Sequence, residues 1–231
     1  LGAIDYAIHG GIKPARIIVT DIDQARLDRA QKLISVESAQ QQGIELIYVN
    51  TKDLPDPVAT LRELNGGKLF DDVFVFAPVK SLVEMADALL GKDGCLNFFA
   101  GPTDPKFSAN FNFYNVHYES HHLVGTSGGN TEDIKESLEM MSRGLLHPEA
   151  MITHVGGLNA VAETTINLDK IPGGKKLIYT HKKLDLVAIA DFAERGKTDP
   201  FYAELARITE AHNGLWCKEA EDYLLQHAPE I

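Results

Sequence analysis

The chain has 231 residues, enough for one large core or for a domain with an appendage, and a formal net charge of −11. Nucleic acids and anionic membranes bind clustered Lys and Arg, so this acidic balance argues against both as partners. With no apolar run long enough to span a bilayer and no signal pattern, we expect a cytoplasmic protein. Cys95 and Cys217 are too few for a disulfide scaffold and lack CxxC spacing. Cys95 lies in an apolar segment, and we expect it to be a buried, unreactive thiol.

The first hundred residues alternate between predicted strands and helices. A helix over residues 1–8 is already under way, with no strand and no glycine-rich turn before it, so we expect the chain to be a fragment. Strands are predicted over residues 17–20, 44–49, 73–76 and 96–100. Helices are predicted over residues 24–36 and 81–90, and another helix between them ends at about residue 64. The strands are apolar on both faces, which indicates an α/β fold with a doubly wound, mostly parallel sheet.

The pattern changes after residue 100. Residues 108–113 alternate between apolar and polar with period two, which predicts an edge strand with one dry face. Further strands are predicted over residues 123–126, 151–155 and 176–180, and helices over 131–143, 158–166, 184–193, 201–208 and 216–225. The expected organisation is a cofactor domain over residues 1–150, closing segments over 151–180 and a helical tail over 181–231.

Asp21 is the leading candidate binding residue, because ligands of a doubly wound sheet lie across the carboxyl ends of its strands. A carboxylate there can accept both ribose hydroxyls of an adenosine and repel a 2′-phosphate, which favours NAD over NADP. The alternative is helix capping, which we prefer for Asp23 and not for Asp21. Arg26 is either a solvated helix residue or a cation over the adenine ring.

Small residues follow the later strands, at Phe76-Ala77-Pro78, Ala100-Gly101 and Thr126-Ser127. Each is an ordinary turn by itself, whereas together they would let a cofactor approach the backbone. The neighbouring His117, His121 and His122 lack the spacing for metal ligation, so we expect solvated or core histidines. No GxSxG or HExxH motif is present, and nothing indicates that the chain performs chemistry unaided.

Several segments resemble the cofactor domain of the zinc-type medium-chain alcohol and polyol dehydrogenases. They are residues 3–8, 15–21 with Arg26, Leu27 and Ala30, then 72–76, 94–101, 153–154 and 175–178. The resemblance covers about residues 1–180 and is greatest to sugar-phosphate dehydrogenases of the sorbose-1-phosphate reductase type. It implies a Rossmann-type NAD-binding sheet that lacks its first strand here, followed by a helical appendage.

The family pattern implies a set of cofactor-binding residues. Asp21 would bind the adenosine ribose, Ile22 and Arg26 would lie near adenine, Phe76, Ala77, Ala100 and Gly101 would follow two strands, and Thr126 and Ser127 would face the nicotinamide amide. The family's GxGxxG turn and its GroES-like domain with the zinc ligands are not in this sequence. No metal ligand can therefore be carried over, and this chain alone is expected to be inactive.

The leading hypothesis is an oxidoreductase that uses NAD(H) and zinc to interconvert a sugar phosphate or polyol and its ketone. The alternative is a non-catalytic nucleotide-binding module, and a methyltransferase is a weaker third. The family also implies a homodimer or homotetramer that pairs through the edge strand around Phe111 and Phe113.

Overall fold

A computed structural model describes residues 1–231, which fall into two units. The sheet unit is Ile12–Glu139, and the terminal unit joins Leu1–Gly11 to Met140–Ile231. This division differs from the predicted boundaries near residues 150 and 180, since residues 152–179 share a core with the tail that follows them. None of the helices is long and apolar enough to cross a membrane.

The sheet unit consists of parallel strands connected by helices, which confirms the predicted α/β class. Its strands are β1 (Arg16–Asp21), β2 (Glu45–Asn50), β3 (Phe70–Val75), β4 (Leu90–Phe98) and β5 (His122–Gly125). Its helices are α2 (Gln24–Leu33), α3 (Val36–Gln41), α4 (Pro57–Leu64), α5 (Lys80–Leu89), α6 (Phe113–Tyr118) and α7 (Thr131–Ser142), the last of which ends beyond the unit. β1 pairs only with β2, and β3, β4 and β5 form a second parallel sheet in that order.

Side-chain caps explain where several of these helices begin. Asp56 accepts a hydrogen bond from the Ala59 amide at the start of α4, and Pro57 fits the first helical position. The predicted helix over residues 24–36 is wrong in its extent, because α2 ends at Leu33 and a separate helix, α3, begins at Val36. Ser35 accepts a hydrogen bond from the Ser38 amide and begins α3, a cap that the continuous apolar stripe conceals.

The predicted edge strand over residues 108–113 is wrong. This segment has no regular secondary structure up to Asn112 and belongs to no sheet, and Phe113 begins α6. Carboxylates of α5 satisfy its backbone, since Glu84 accepts from the Asn110 amide at 3.1 Å and Asp87 from the Asn112 amide at 2.9 Å. The period-two pattern has a physical basis nonetheless, because Phe107, Ala109 and Phe111 pack against a small core while the residues between them are exposed.

The terminal unit contains a third sheet, which is mixed, and most of the large aromatic side chains that are buried. Its elements are α1 (Gly2–His9), β6 (Ile152–Gly157), α8 (Val161–Ile166), β7 (Lys175–Tyr179), β8 (Val187–Ala188), α9 (Phe192–Arg195), α10 (Pro200–Ala211) and α11 (Lys218–His227). β6 lies between a parallel β7 and an antiparallel β8. The predicted helix over 184–193 is therefore wrong, since β8 occupies the middle of that segment.

Candidate cofactor-binding site

The carboxyl ends of β3, β4 and β5 meet at one edge of their sheet. The strands are parallel, and Val75, Phe98 and Gly125 are in register across them. The residues that follow each strand, Phe76-Ala77, Phe99-Ala100-Gly101 and Thr126-Ser127, therefore emerge at the same edge. In the other parallel pair, Asp21 at the end of β1 is in register with Asn50 at the end of β2.

The Asp21 carboxylate is held in one orientation by its own turn. Its Oδ1 accepts a hydrogen bond from the Asp23 amide at 2.9 Å, and its side chain is about one-third exposed. Its Oδ2 lies 3.8 Å from Arg26 Nη1, beyond hydrogen-bonding distance. One carboxylate oxygen is thus anchored while the other can accept hydroxyl donors from a ligand.

The structure distinguishes helix capping from other roles among the neighbours of Asp21. Asp23 caps α2 by accepting from the Ala25 amide at 2.9 Å, which confirms capping for that residue. Arg26 is 74% exposed and lies near both carboxylates, with its Nε 3.5 Å from Asp23 Oδ2. Ile22 is 64% exposed and offers an apolar surface beside them. A solvated cation and an exposed apolar side chain thus flank the anchored carboxylate.

Three aromatic side chains form an exposed aromatic row at the carboxyl edge of β3 and β4. Phe74 and Phe76 are stacked with ring centroids 6.2 Å apart, and Phe76 meets Phe99 edge to face at 6.4 Å. All three are exposed by about half or more of their surface. Single exposed aromatics are common, but three in contact at the end of a parallel sheet offer a flat apolar surface to a ligand.

The small residues at this edge leave room near the backbone. Gly101 has a φ of +57° and would place a Cβ in open space, so the turn needs glycine for its conformation. The Thr126 hydroxyl donates to the Gly128 carbonyl oxygen at 2.6 Å and so lies over the turn after β5. Ala77 and Ala100 complete the set of small residues, and both are half-buried.

The three neighbouring histidines, His117, His121 and His122, do not converge on one point. His117 contacts Tyr118 on α6, His122 lies 2.9 Å from Asp93, and His121 is buried beside Asp87 at 4.0 Å. Buried and exposed histidines are the expectation stated for this group. His154 is also a core histidine, and burial, followed by the nearby Lys176, lowers the pKa of its imidazole. The Cys95 thiol is half-buried, whereas the sequence predicts a buried one; burial, followed by the charge of Asp72, raises its pKa, and its lack of reactivity stays a prediction.

The sequence analysis missed a different cluster, in the terminal unit. Asp5, His9 and His147 place potential metal-ligating atoms within 4.8 Å of one another. Asp5 and His9 are one helical turn apart on α1, a spacing that was readable from the sequence. His147 is 142 residues away from Asp5 along the chain, and no local pattern connects them.

Comparison with known proteins gives a consistent family. The model for zinc-binding dehydrogenases matches residues 1–143. The chain is 58% identical over 226 residues to mannitol-1-phosphate 5-dehydrogenase of Aliivibrio fischeri, covering 98% of this chain and 53% of that protein. It is 45% identical over 231 residues to L-sorbose 1-phosphate reductase of Klebsiella pneumoniae, covering 99% and 52%. The chain spans about half the length of these curated relatives.

Solved structures agree on the fold. The structure of 2R,3R-butanediol dehydrogenase from Bacillus subtilis aligns with a TM-score of 0.58 at 17% identity, covering 75% of this chain and 46% of that one. At this identity the likeness supports the dehydrogenase-type parallel sheet and nothing about individual residues. The predicted Rossmann-type α/β fold is confirmed.

Proposed function

The chain belongs to the zinc-binding dehydrogenase family, and on this premise we propose that the intact protein is an NAD(P)-dependent oxidoreductase. Its reaction would interconvert a sugar phosphate or polyol and its ketone by hydride transfer. The names of the two curated relatives, a mannitol-1-phosphate dehydrogenase and a sorbose-1-phosphate reductase, support this substrate class. The anchored carboxylate of Asp21 at the end of β1 is the observation that carries the proposal.

The residues present fit the adenosine half of a dinucleotide. Asp21 would accept ribose hydroxyls through the oxygen that its own turn leaves open, and Ile22 and Arg26 would flank the adenine. Carboxylate repulsion of a 2′-phosphate would favour NAD(H) over NADP(H). The small residues Ala77, Ala100 and Gly101, with Phe76 beside them, would let the cofactor lie close to the sheet edge.

Thr126 and Ser127 would position the nicotinamide end by hydrogen bonding to its amide. Bound NAD(H) supplies the hydride in this reaction class, and the protein supplies orientation and exclusion of water. Zinc in such enzymes acts as a Lewis acid on the carbonyl. The group of three potential metal ligands in the chain, Asp5, His9 and His147, lies in the terminal unit, so this edge of the sheet does not fit a catalytic zinc and we derive no step through one.

The proposal is tested by NADH binding to the protein expressed from its complete reading frame. Asp21→Ala should weaken NADH binding by roughly 10- to 100-fold, which corresponds to the loss of hydrogen bonds to a charged group. The ratio of NADH affinity to NADPH affinity should also fall. Asp28→Ala is the matched control, because Asp28 is an exposed carboxylate on α2 whose hydrogen-bonding partner is Gln24 of the same helix. Equal NADH affinity in all three proteins would overturn the role of Asp21.

Turnover distinguishes the enzyme from the alternative function. Reduction of fructose or sorbose phosphates with NADH should be measurable in the complete protein and abolished by a chelator that removes zinc. NADH binding without turnover of any ketose phosphate or polyol would instead support the non-catalytic nucleotide-binding module.

The assembly is a proposal of its own. We expect a homodimer or homotetramer that associates through the surface around Phe111 and Phe113, where Phe113 is 73% exposed and the neighbouring Tyr114 and Tyr118 are also exposed. Light scattering should give two or four times the monomer mass, and Phe113→Asp should lower the measured mass. A monomer mass for the unmodified protein would contradict this assembly.

A further inference from the structure

We propose that Asp5, His9 and His147 form a binding site for a divalent transition-metal ion of the zinc type. The three side chains come from two separate parts of the terminal unit, the helix α1 and the loop that precedes a short 3-10 turn at Pro148–Met151. The inference depends only on this cluster and is independent of the cofactor role proposed above.

Two of the three separations in the cluster are compatible with a coordination sphere, and the three potential ligand atoms all lie within 4.8 Å of one another. His9 Nδ1 and His147 Nδ1 both lie 3.1 Å from the same oxygen, Oδ1 of Asp5. Charge-assisted N–H···O hydrogen bonds are usually shorter, about 2.7–2.9 Å. Two ligands about 2.0 Å from a tetrahedral zinc ion are about 3.3 Å apart, so the observed separations are close to the edges of such a site.

The cluster is also built to hold its carboxylate in place. Asp5 is 5% exposed, and its second oxygen accepts a hydrogen bond from the His147 backbone amide at 2.6 Å. His9 Nδ1 also lies 3.0 Å from the Asp5 carbonyl oxygen, a hydrogen bond that a metal bound at this nitrogen would replace, and the two imidazole rings meet edge to face at 5.4 Å. Because these side chains are already held in place, metal binding would cost less conformational entropy.

The ligand types select the class of metal. Two imidazoles and one carboxylate are a donor set used for Zn²⁺ and for ferrous iron, whereas Ca²⁺ and Mg²⁺ prefer oxygen ligands alone. His147 has a side chain 43% exposed and His9 one 22% exposed, so the cluster is open to ions and water from one side. A site with three protein ligands leaves at least one coordination position for water.

The other function of this cluster would be purely structural, with two imidazoles hydrogen-bonded to a buried carboxylate. A metal titration separates the two. We expect the 231-residue chain, after treatment with a chelator, to bind one equivalent of Zn²⁺ by calorimetry, and Co²⁺ to show the visible d–d absorption of a nitrogen- and oxygen-ligated ion. His147→Gln and His9→Gln should each weaken binding on the order of 100-fold or abolish it.

His122→Gln is the matched control. His122 lies 2.9 Å from Asp93, a similar histidine–carboxylate pair that is exposed and has no third ligand, so its loss should leave metal binding unchanged. Far-UV circular dichroism establishes that each variant is folded, and His147→Gln changes only a partly exposed side chain. No binding of Zn²⁺ or Co²⁺ by the unmodified chain, or equal binding by the folded His9 and His147 variants, would overturn the proposal.

Discussion

The two units use aromatic side chains in opposite ways. In the terminal unit, Phe192 meets Tyr202 at 5.9 Å and Trp216 at 6.4 Å, and all three are buried. In the sheet unit, the exposed aromatic row has nearly the same ring separations, 6.2 and 6.4 Å. Ring contact alone contributes about 0.5–1.5 kcal/mol, much less than full burial of the side chain.

This comparison separates stability from binding. The buried aromatics of the terminal unit belong to a core that also contains Val155 of β6, Leu205 of α10 and Leu224 of α11, all fully buried. The exposed aromatic row has water on one side and lies where a ligand of a parallel sheet would bind. The same residue type therefore stabilises the fold in one unit and is available for recognition in the other.

The largest expected effect is in the buried set. Phe192→Ala should lower the free energy of unfolding of the terminal unit by about 3–5 kcal/mol, because it leaves a cavity at a position with 0% exposure. Urea unfolding followed by the fluorescence of Trp216, the single tryptophan, measures this directly. Phe74→Ala is the control and should change the free energy of unfolding by no more than about 1.5 kcal/mol, the value of its ring contact with Phe76. Similar losses in both variants would break the comparison.

A smaller effect is expected from one buried hydroxyl. The Tyr179 hydroxyl donates to Glu221 at 2.9 Å and accepts from Trp216 Nε1 at 2.9 Å, and burial raises the pKa of this phenol. Tyr179→Phe leaves a buried indole N–H without its acceptor, so stability should fall by about 1–3 kcal/mol. Tyr118→Phe, at an exposed position, should have no measurable effect on stability. An unchanged free energy of unfolding for Tyr179→Phe would show that water replaces the hydroxyl.

Acid should weaken the terminal unit through His154. Burial and the nearby Lys176 depress the pKa of this imidazole, while Asp191 opposes them in part. Between the folded and the unfolded pKa the unfolded chain binds more protons, so stability is present above the unfolded value of about 6.5 and declines as the pH falls below it. In His154→Gln the decline between pH 7 and pH 5.5 should be shallower. An unchanged pH slope would contradict this assignment.

The smallest effect on stability is expected in the exposed aromatic row of the sheet unit. Phe76→Ser should lower the free energy of unfolding by no more than about 1.5 kcal/mol, the value of ring contact, since the side chain is 57% exposed. It should nevertheless weaken NADH binding by about 2- to 10-fold, the value of one aromatic contact. Loss of stability without loss of affinity would place Phe76 in the core instead of the site.

Local patterns predicted the regular part of the sheet unit well. β1, β2 and β3 each contain a short apolar run, and turn residues or helix caps such as Asp56 and Pro57 separate these runs. β4 differs, because it begins at Leu90 and extends through a polar, glycine-containing stretch that precedes the predicted strand over residues 96–100. The direction of the strands followed from the helices between them, because a helical crossover makes parallel neighbours. Asp21 was recognisable because a strand end is a position that sequence can locate.

The failures occurred where side chains far along the chain decide the structure. Residues 108–113 alternate like a strand, but Glu84 and Asp87 of α5 bind the backbone amides that a neighbouring strand would have paired. Within residues 184–193, Val187 of β8 pairs with Val155 of β6, and the apolar pattern alone cannot distinguish that from a buried helix. The Asp5–His147 contact joins opposite ends of the chain, and neither residue carries a local signal of it.

The single partner of β1 has a measurable consequence for amide exchange with deuterium. Along a strand, successive backbone N–H groups point to opposite sides, and β1 has a strand only on the side of β2. In the 231-residue chain, every second amide of Arg16–Asp21 therefore has no strand acceptor and should exchange at rates close to those of a loop, while the intervening amides are protected. Deuterium uptake resolved by residue should therefore alternate with a period of two along β1.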